Sequence, residues 1–131
     1  MLTDQDLTSK IIAAAFKVHN ALGSGFLEKV YENSLVIELT KAGLKAQQQA
    51  RITVYYEGHP VGEYLADLFV ENSIIVECKA VVALVREHEM QLVNYLAATG
   101  IDSGLLINFG KSVQVKRKFR EYRKSTATGQ D

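Results

Sequence analysis

The chain is poor in most of the features that narrow function early. It has one cysteine, Cys78, so neither an intramolecular disulfide framework nor a cysteine-built zinc site is available. No apolar run approaches the roughly 20 residues of a membrane-crossing helix, so no membrane partner is expected. The opening stretch Met1 to Asp6 lacks the basic and apolar parts of a secretory signal, and a reducing cytoplasm is the expected location. Net charge is zero, from 15 basic and 15 acidic side chains, so overall charge points to no polyanionic partner. There is one proline, Pro60, no tryptophan, no internal repeat and no low-complexity tract.

What is present suits one globular domain. Of the 131 residues 47% are apolar and 23% charged, enough to fill one core and too few for two independent ones. The expected domain covers residues 1–124, with the small, polar stretch 125–131 as a frayed tail. Charge is unevenly spread: Lys111, Lys116, Arg117, Lys118, Arg120, Arg123 and Lys124 surround one acid, Glu121, giving that segment +6 and the rest −6. Such an arm either lies along a phosphate backbone or is a solvated terminal segment.

Periodicity assigns the elements. Leu7, Ile11, Ala14, Ala15, Val18 and Leu22 recur at helical spacing, predicting a helix from about Thr3 to Leu22, stopped by Gly23. A second helix is predicted from about Phe26 to Ala42. The pattern then changes to alternation, predicting strands at Arg51 to Glu57, Val61 to Val70 and Ile74 to Lys79, with a turn at Gly58-His59-Pro60. A third helix is predicted from Arg86 to Thr99 and a buried strand from Ser103 to Phe109. The segment after Ser112 reads as an edge strand or a helix. This order implies a mixed sheet with helices on its faces.

The chemistry concentrates in the hairpin. With Glu71-Asn72-Ser73 as a three-residue loop, Val70 faces Ile74 and Asp67 faces Glu77. Lys79, two residues on, shares the Glu77 face. Two adjacent carboxylates repel unless a cation stands between them. Lys79 neutralises them in part, and a divalent ion does so better, with the Cys78 carbonyl as a further oxygen. Lys79 could then hold or help deprotonate an attacking water. The competing reading is a cross-strand acid–base cluster on a solvated sheet face. On the second helix Gly25, Glu28 and Tyr31 follow G-x-x-E-x-x-Y; Glu28 reads either as a site acid or as an acid favoured by the helix dipole, and Tyr31 as a substrate contact or as packing. On the third helix Glu87, Gln91 and Tyr95 share a stripe that could touch phosphate or Lys79, or be an ordinary amphipathic face. His19 reads chiefly as a helix C-terminal cap and His88 as a surface residue.

Gly25 through Tyr31, Gly62-Glu63-Tyr64 leading to Asp67, Glu77-Cys78-Lys79, Gln91 with Tyr95, and Leu106-Ile107-Asn108-Phe109-Gly110 together resemble the bacterial GxxExxY proteins of the PD-(D/E)XK nuclease superfamily. The resemblance runs from about His19 to Gly110. It implies an α/β fold with a restriction-endonuclease-like core. It implies catalytic roles for Glu28, Asp67, Glu77 and Lys79, and metal binding by Asp67, Glu77, the Cys78 carbonyl and Glu28, directly or through water. Gln91 and Tyr95 match the Q-x-x-x-Y pair of RecB-like members. Ala66 stands where the superfamily name has proline. The expected activity is Mg2+- or Mn2+-dependent hydrolysis of phosphodiester bonds in DNA, with Tyr31, Gln91, Tyr95, Lys116, Arg117 and Lys118 contacting substrate. Any sequence specificity would come from a second copy of the chain or a protein partner. The alternative is a catalytically silent nucleic-acid-binding or adaptor module.

Overall fold

A computed structural model describes residues 2–121. The proposed tail at 125–131 and the basic residues Arg123 and Lys124 lie outside the described residues. Three helices and five strands follow one another as α1 (Asp4–Leu22), α2 (Glu28–Lys41), β1 (Ala46–Tyr56), β2 (His59–Val70), β3 (Ile74–Lys79), α3 (Arg86–Thr99), β4 (Ser103–Phe109) and β5 (Val113–Phe119). Thr3 and Asp6 bond each other's backbone N–H and start α1; Gly23, at φ 73°, ends it.

The sheet runs in sequence order, β1-β2-β3-β4-β5. Only β3 and β4 are parallel, because α3 carries the chain back between them; every other pair is antiparallel. Leu7, Ile11, Ala15 and Val18 of α1 and Tyr31, Leu35 and Leu39 of α2 bury one sheet face with Leu68, Val70, Val76, Cys78 and Ile107. Leu92, Tyr95 and Leu96 of α3 bury the other with Ala50, Ile52, Ala66, Ile75 and Leu106. The expected α/β architecture, a mixed sheet with helices on both faces, is therefore present. No helix among the described residues is long and apolar enough to cross a membrane.

Two boundaries differ from the sequence reading. Strand β1 begins at Ala46, not Arg51, because Gln47, Gln48 and neighbours find ladder partners in β2 that outweigh their weak strand propensity. The hairpin turn is Glu57-Gly58, at φ 50° and 80°, and Pro60 is already in β2, where the register shifts beside Val54 and Tyr55. The segment after Ser112 is a strand.

Candidate functional site

The hairpin loop holds the expected register: Val70 faces Ile74, Phe69 faces Ile75 and Leu68 faces Val76. Ladder pairing then stops. Continued, it would set Cys78 opposite Ala66 and Asp67 opposite Glu77. Side chains take the place of the missing rungs instead. The Cys78 N–H donates to Asp67 Oδ2 at 2.8 Å, and the Asp67 N–H donates to Glu77 Oε2 at 2.8 Å. Each carboxylate thus spends one oxygen on a backbone N–H and keeps the other. A strand residue's N–H and C=O point to the same side, so the Cys78 carbonyl is directed into the same gap. The gap lies at the C-terminal end of β3, where open α/β sheets bind ligands.

Electrostatics mark this gap as short of positive charge. Burial raises the Glu77 pKa to about 8, with the Asp67 carboxylate adding to the shift. Burial also raises Asp67, against the Cys78 N–H bond. Glu28, at the start of α2, is raised first by burial, while Lys79 acts to lower it and Asp67 and Glu32 to raise it. Lys79 therefore sits among all three acids, yet it forms no ion pair with any described residue. The Cys78 thiol faces the α1–α2 core, fully buried, and burial keeps it neutral; only its backbone is available to the gap.

The helices position the flanks. His88 accepts the Val85 N–H on Nδ1 at 3.1 Å, capping α3, and so is half-buried and engaged instead of a free surface residue. Tyr95 is buried; its hydroxyl accepts from the Gln91 amide at 2.9 Å, and its pKa is raised by burial and then by Glu77. Both residues line an open groove of about 820 Å³ between α3 and the β1–β2 hairpin, which Tyr64, Arg86 and Met90 also border. The Tyr64 and Tyr95 rings lie 5.7 Å apart. Glu87 lies on the same groove wall and is exposed.

Several expectations need correction. Tyr31 is not a substrate contact: it is 0% exposed, stacks on Phe109 at 4.7 Å, donates to the Gly23 carbonyl at 2.6 Å and accepts the Phe26 N–H at 3.2 Å. It staples the α1–α2 corner and so fixes where Glu28 begins its helix. Tyr31→Phe keeps the stack and strands the Gly23 carbonyl. The expected cost is about 1–2 kcal/mol in urea unfolding, with metal affinity unchanged. Among the described residues no three His, Cys, Asp or Glu side chains are close enough together to form a metal cluster, while Glu28 still feels the charges of Asp67, Glu77 and Lys79. His19 does not cap α1 but donates from Nε2 to the Gly110 carbonyl at 2.7 Å, tying α1 to the end of β4.

Of the basic arm, Lys116, Arg117 and Lys118 lie on the edge strand β5, with Lys111 before it and Arg120 after it. Lys118 pairs with Glu89 of α3 at 2.5 Å, and the Arg117 guanidinium lies 5.0 Å over the Phe119 ring. Lys118 is therefore engaged by Glu89, whereas the buried Arg117 Nε has no hydrogen-bond partner among the described residues. Lys116 is exposed and faces Leu106, which faces Glu77, so Lys116 shares the site's row two strands away.

Three structural contributors escaped the sequence reading. Asn108, fully buried, accepts the Val81 N–H and donates to the Val81 carbonyl, both at 2.9 Å, and so pins the chain two residues after Lys79. Its signal was a lone amide in an otherwise apolar strand. Glu32, 2% exposed, accepts from Lys29 at 3.1 Å, Gln48 at 2.9 Å and Gln49 at 3.0 Å. Its signal was the four-residue step from Glu28 along one helix face. Gln49 gave no signal beyond a polar run.

The sequence matches the PD-(D/E)XK nuclease superfamily over residues 5–121. No curated protein matches it. Among solved structures it is similar to SSO0001, with TM-score 0.57 and 18% identity over 75% of this chain and 52% of that one, so it spans about half that protein's length. An alkaline exonuclease (LHK-Exo) from Laribacter hongkongensis aligns with TM-score 0.48 and 11% identity, over 91% of this chain and 83% of that one. The family match covers all five strands and the gap where Asp67, Glu77 and Lys79 meet; the chain belongs to the PD-(D/E)XK nuclease superfamily and carries its restriction-endonuclease-like α/β core.

Proposed function

We propose that this protein is a divalent-metal-dependent nuclease that hydrolyses phosphodiester bonds in DNA, of the GxxExxY type. The observation that supports this reading most is the interrupted ladder between β2 and β3. There, the buried Glu77 and half-buried Asp67 carboxylates each keep one oxygen clear of the backbone, and the only nearby cation named by their electrostatics besides Lys29 is the unpaired Lys79. Two carboxylate oxygens and a main-chain carbonyl fit Mg2+ or Mn2+, which keeps several waters and takes substrate phosphate oxygens for the rest. The raised pKa values fit too, because such a pair becomes comfortably ionised only beside a divalent charge. When bound, the ion supplies charge neutralisation at the scissile phosphate and acidifies water.

The chain's own groups do the remainder. Asp67 and Glu77 would hold the ion through the oxygens their backbone bonds leave free, while Oδ2 and Oε2 accept backbone N–H groups and fix the carboxylate planes. Lys79 holds the attacking water by hydrogen bond and offsets charge as it develops on phosphorus. Glu28 would complete the site by binding the ion directly or through water. Gln91 and Tyr95 position the substrate strand from the groove, and Lys116 adds salt-sensitive attraction to the backbone.

The test uses end-labelled single-stranded, double-stranded and branched DNA with purified protein. Cleavage is expected in Mn2+ or Mg2+, none in EDTA, and none from Asp67→Ala. Intact substrates in Mn2+, together with DNA retention in EDTA, would replace this reading with the silent binding module.

A further inference from the structure

The two residues facing each other across the β1–β2 ladder at the site, Gln49 and Asp67, are both skipped by it. Gln48 pairs with Leu68 and Ala50 with Ala66, but no rung joins Gln49 to Asp67. Gln49 has φ 53°, a left-handed backbone that a non-glycine residue adopts only when its surroundings impose it. The alternation of both strands reverses at this point. Ala46, Leu68 and Val70 pack toward α1 and α2, whereas Ala50, Ile52 and Ala66 pack toward α3. In a regular strand, residues two apart share a face; here Ala66 and Leu68 lie in opposite layers. The hairpin therefore rolls over at Gln49 and Asp67. That roll frees the Asp67 N–H for Glu77 and turns the Asp67 carboxylate to the Cys78 N–H.

Two neighbouring side chains tie the roll to α2: Gln48 donates to Glu32 at 2.9 Å, and Gln49 sits at the roll itself. The Gln49 amide donates to both oxygens of Glu32, at 3.2 and 3.0 Å, and Glu32 is buried on α2, one turn after Glu28. We infer that Gln49 and Glu32 form a latch that holds the hairpin in its rolled-over state, and that they are positioning residues for Asp67 and Glu77. The inference rests on the proposed metal site only for its functional consequence; the latch itself is a property of the metal-free fold. It also accounts for a buried acid on α2 that the proposed chemistry leaves without a task.

Amide hydrogen exchange on the metal-free protein tests it. Gln49→Gly accommodates the left-handed backbone and removes the latch. In this variant the Asp67 and Cys78 amides are expected to exchange at least about tenfold faster, with the Phe69 and Ile75 amides of the intact ladder unchanged. Glu32→Gln, which weakens the latch from the helix side, should shift the same two amides in the same direction. Gln49→Lys, which keeps a donor of sufficient reach, should restore their protection. Mn2+ affinity of Gln49→Gly is expected to fall about 10- to 100-fold, as for other groups that orient metal ligands. Wild-type protection of Asp67 and Cys78 in both Gln49→Gly and Glu32→Gln would overturn the latch, whatever the metal does. Faster exchange in a protein that binds no Mn2+ would uphold the latch and remove the nuclease reading instead.

Discussion

Glu77→Gln is expected to make the metal-free protein more stable at pH 8 and at the same time to abolish cleavage. The stability effect follows from proton linkage. Glu77 is ordinary at 4.5 in the unfolded chain and about 8 in the fold. Between those values the folded protein holds a proton that the unfolded chain has released, so stability falls as pH rises through the window. Below about 4.5 both states hold the proton and the contribution is complete; near pH 8 it is gone. Asp67 and Glu28, also raised, act with the same sign. The swing is on the order of a few kcal/mol, and a domain of this size then melts roughly 10–20 °C lower at pH 8 than at pH 5 from this source.

Glutamine keeps a carbonyl oxygen for the Asp67 N–H and has no proton to lose, so the slope across pH 5–8 should largely vanish in the variant. Melting curves of both proteins in EDTA measure this. Adding Mn2+ should reverse the wild-type trend, raising the melting temperature more at pH 8 than at pH 6, and should leave the variant unmoved. A steep alkaline loss persisting in Glu77→Gln would assign the destabilisation elsewhere.

Lys79→Ala is expected to separate metal binding from chemistry. Lys79 touches the gap electrostatically but donates to no described residue, so its ammonium is free for water or phosphate. Its removal should lower the rate of cleavage by about 10²–10⁴, with Mn2+ affinity equal to or slightly above wild type, since one competing positive charge is gone. Asp67→Ala should lose both. Equal loss of metal affinity in the two variants would mean that Lys79 organises the gap instead of acting at the phosphate.

Much of the fold was readable because its signals are local. The 3.6-residue spacing of Leu7 through Leu22, and the apolar runs IIVECK and SGLLINF between turn residues, specify elements without reference to the rest of the chain. The register that brings Asp67 toward Glu77 followed from a three-residue loop. What local signals could not give is the roll of the hairpin. Nothing in QQQAR marks Gln49 as left-handed, because the conformation is imposed by Glu32 on a helix 17 residues earlier. The strict alternation read into the LADLFV strand fails at Asp67 for the same reason. Tyr31 and Lys118 were misassigned because a side chain's partner, not its type, decides its task. A tyrosine bonded to Gly23 and a lysine paired to Glu89 are occupied. Asn108, by contrast, shows its task in the sequence, as an amide in a strand with no other polar side chain after Ser103.

The account stands or falls on whether a divalent ion sits between β2 and β3. Crystals grown at pH 8 and soaked in Mn2+, with diffraction recorded at the manganese absorption edge, answer this directly. The expected result is one anomalous peak roughly 2.0–2.3 Å from the second oxygens of Asp67 and Glu77 and from the Cys78 carbonyl. An empty gap at saturating Mn2+, or a peak held by other residues while the gap stays protonated, would contradict it.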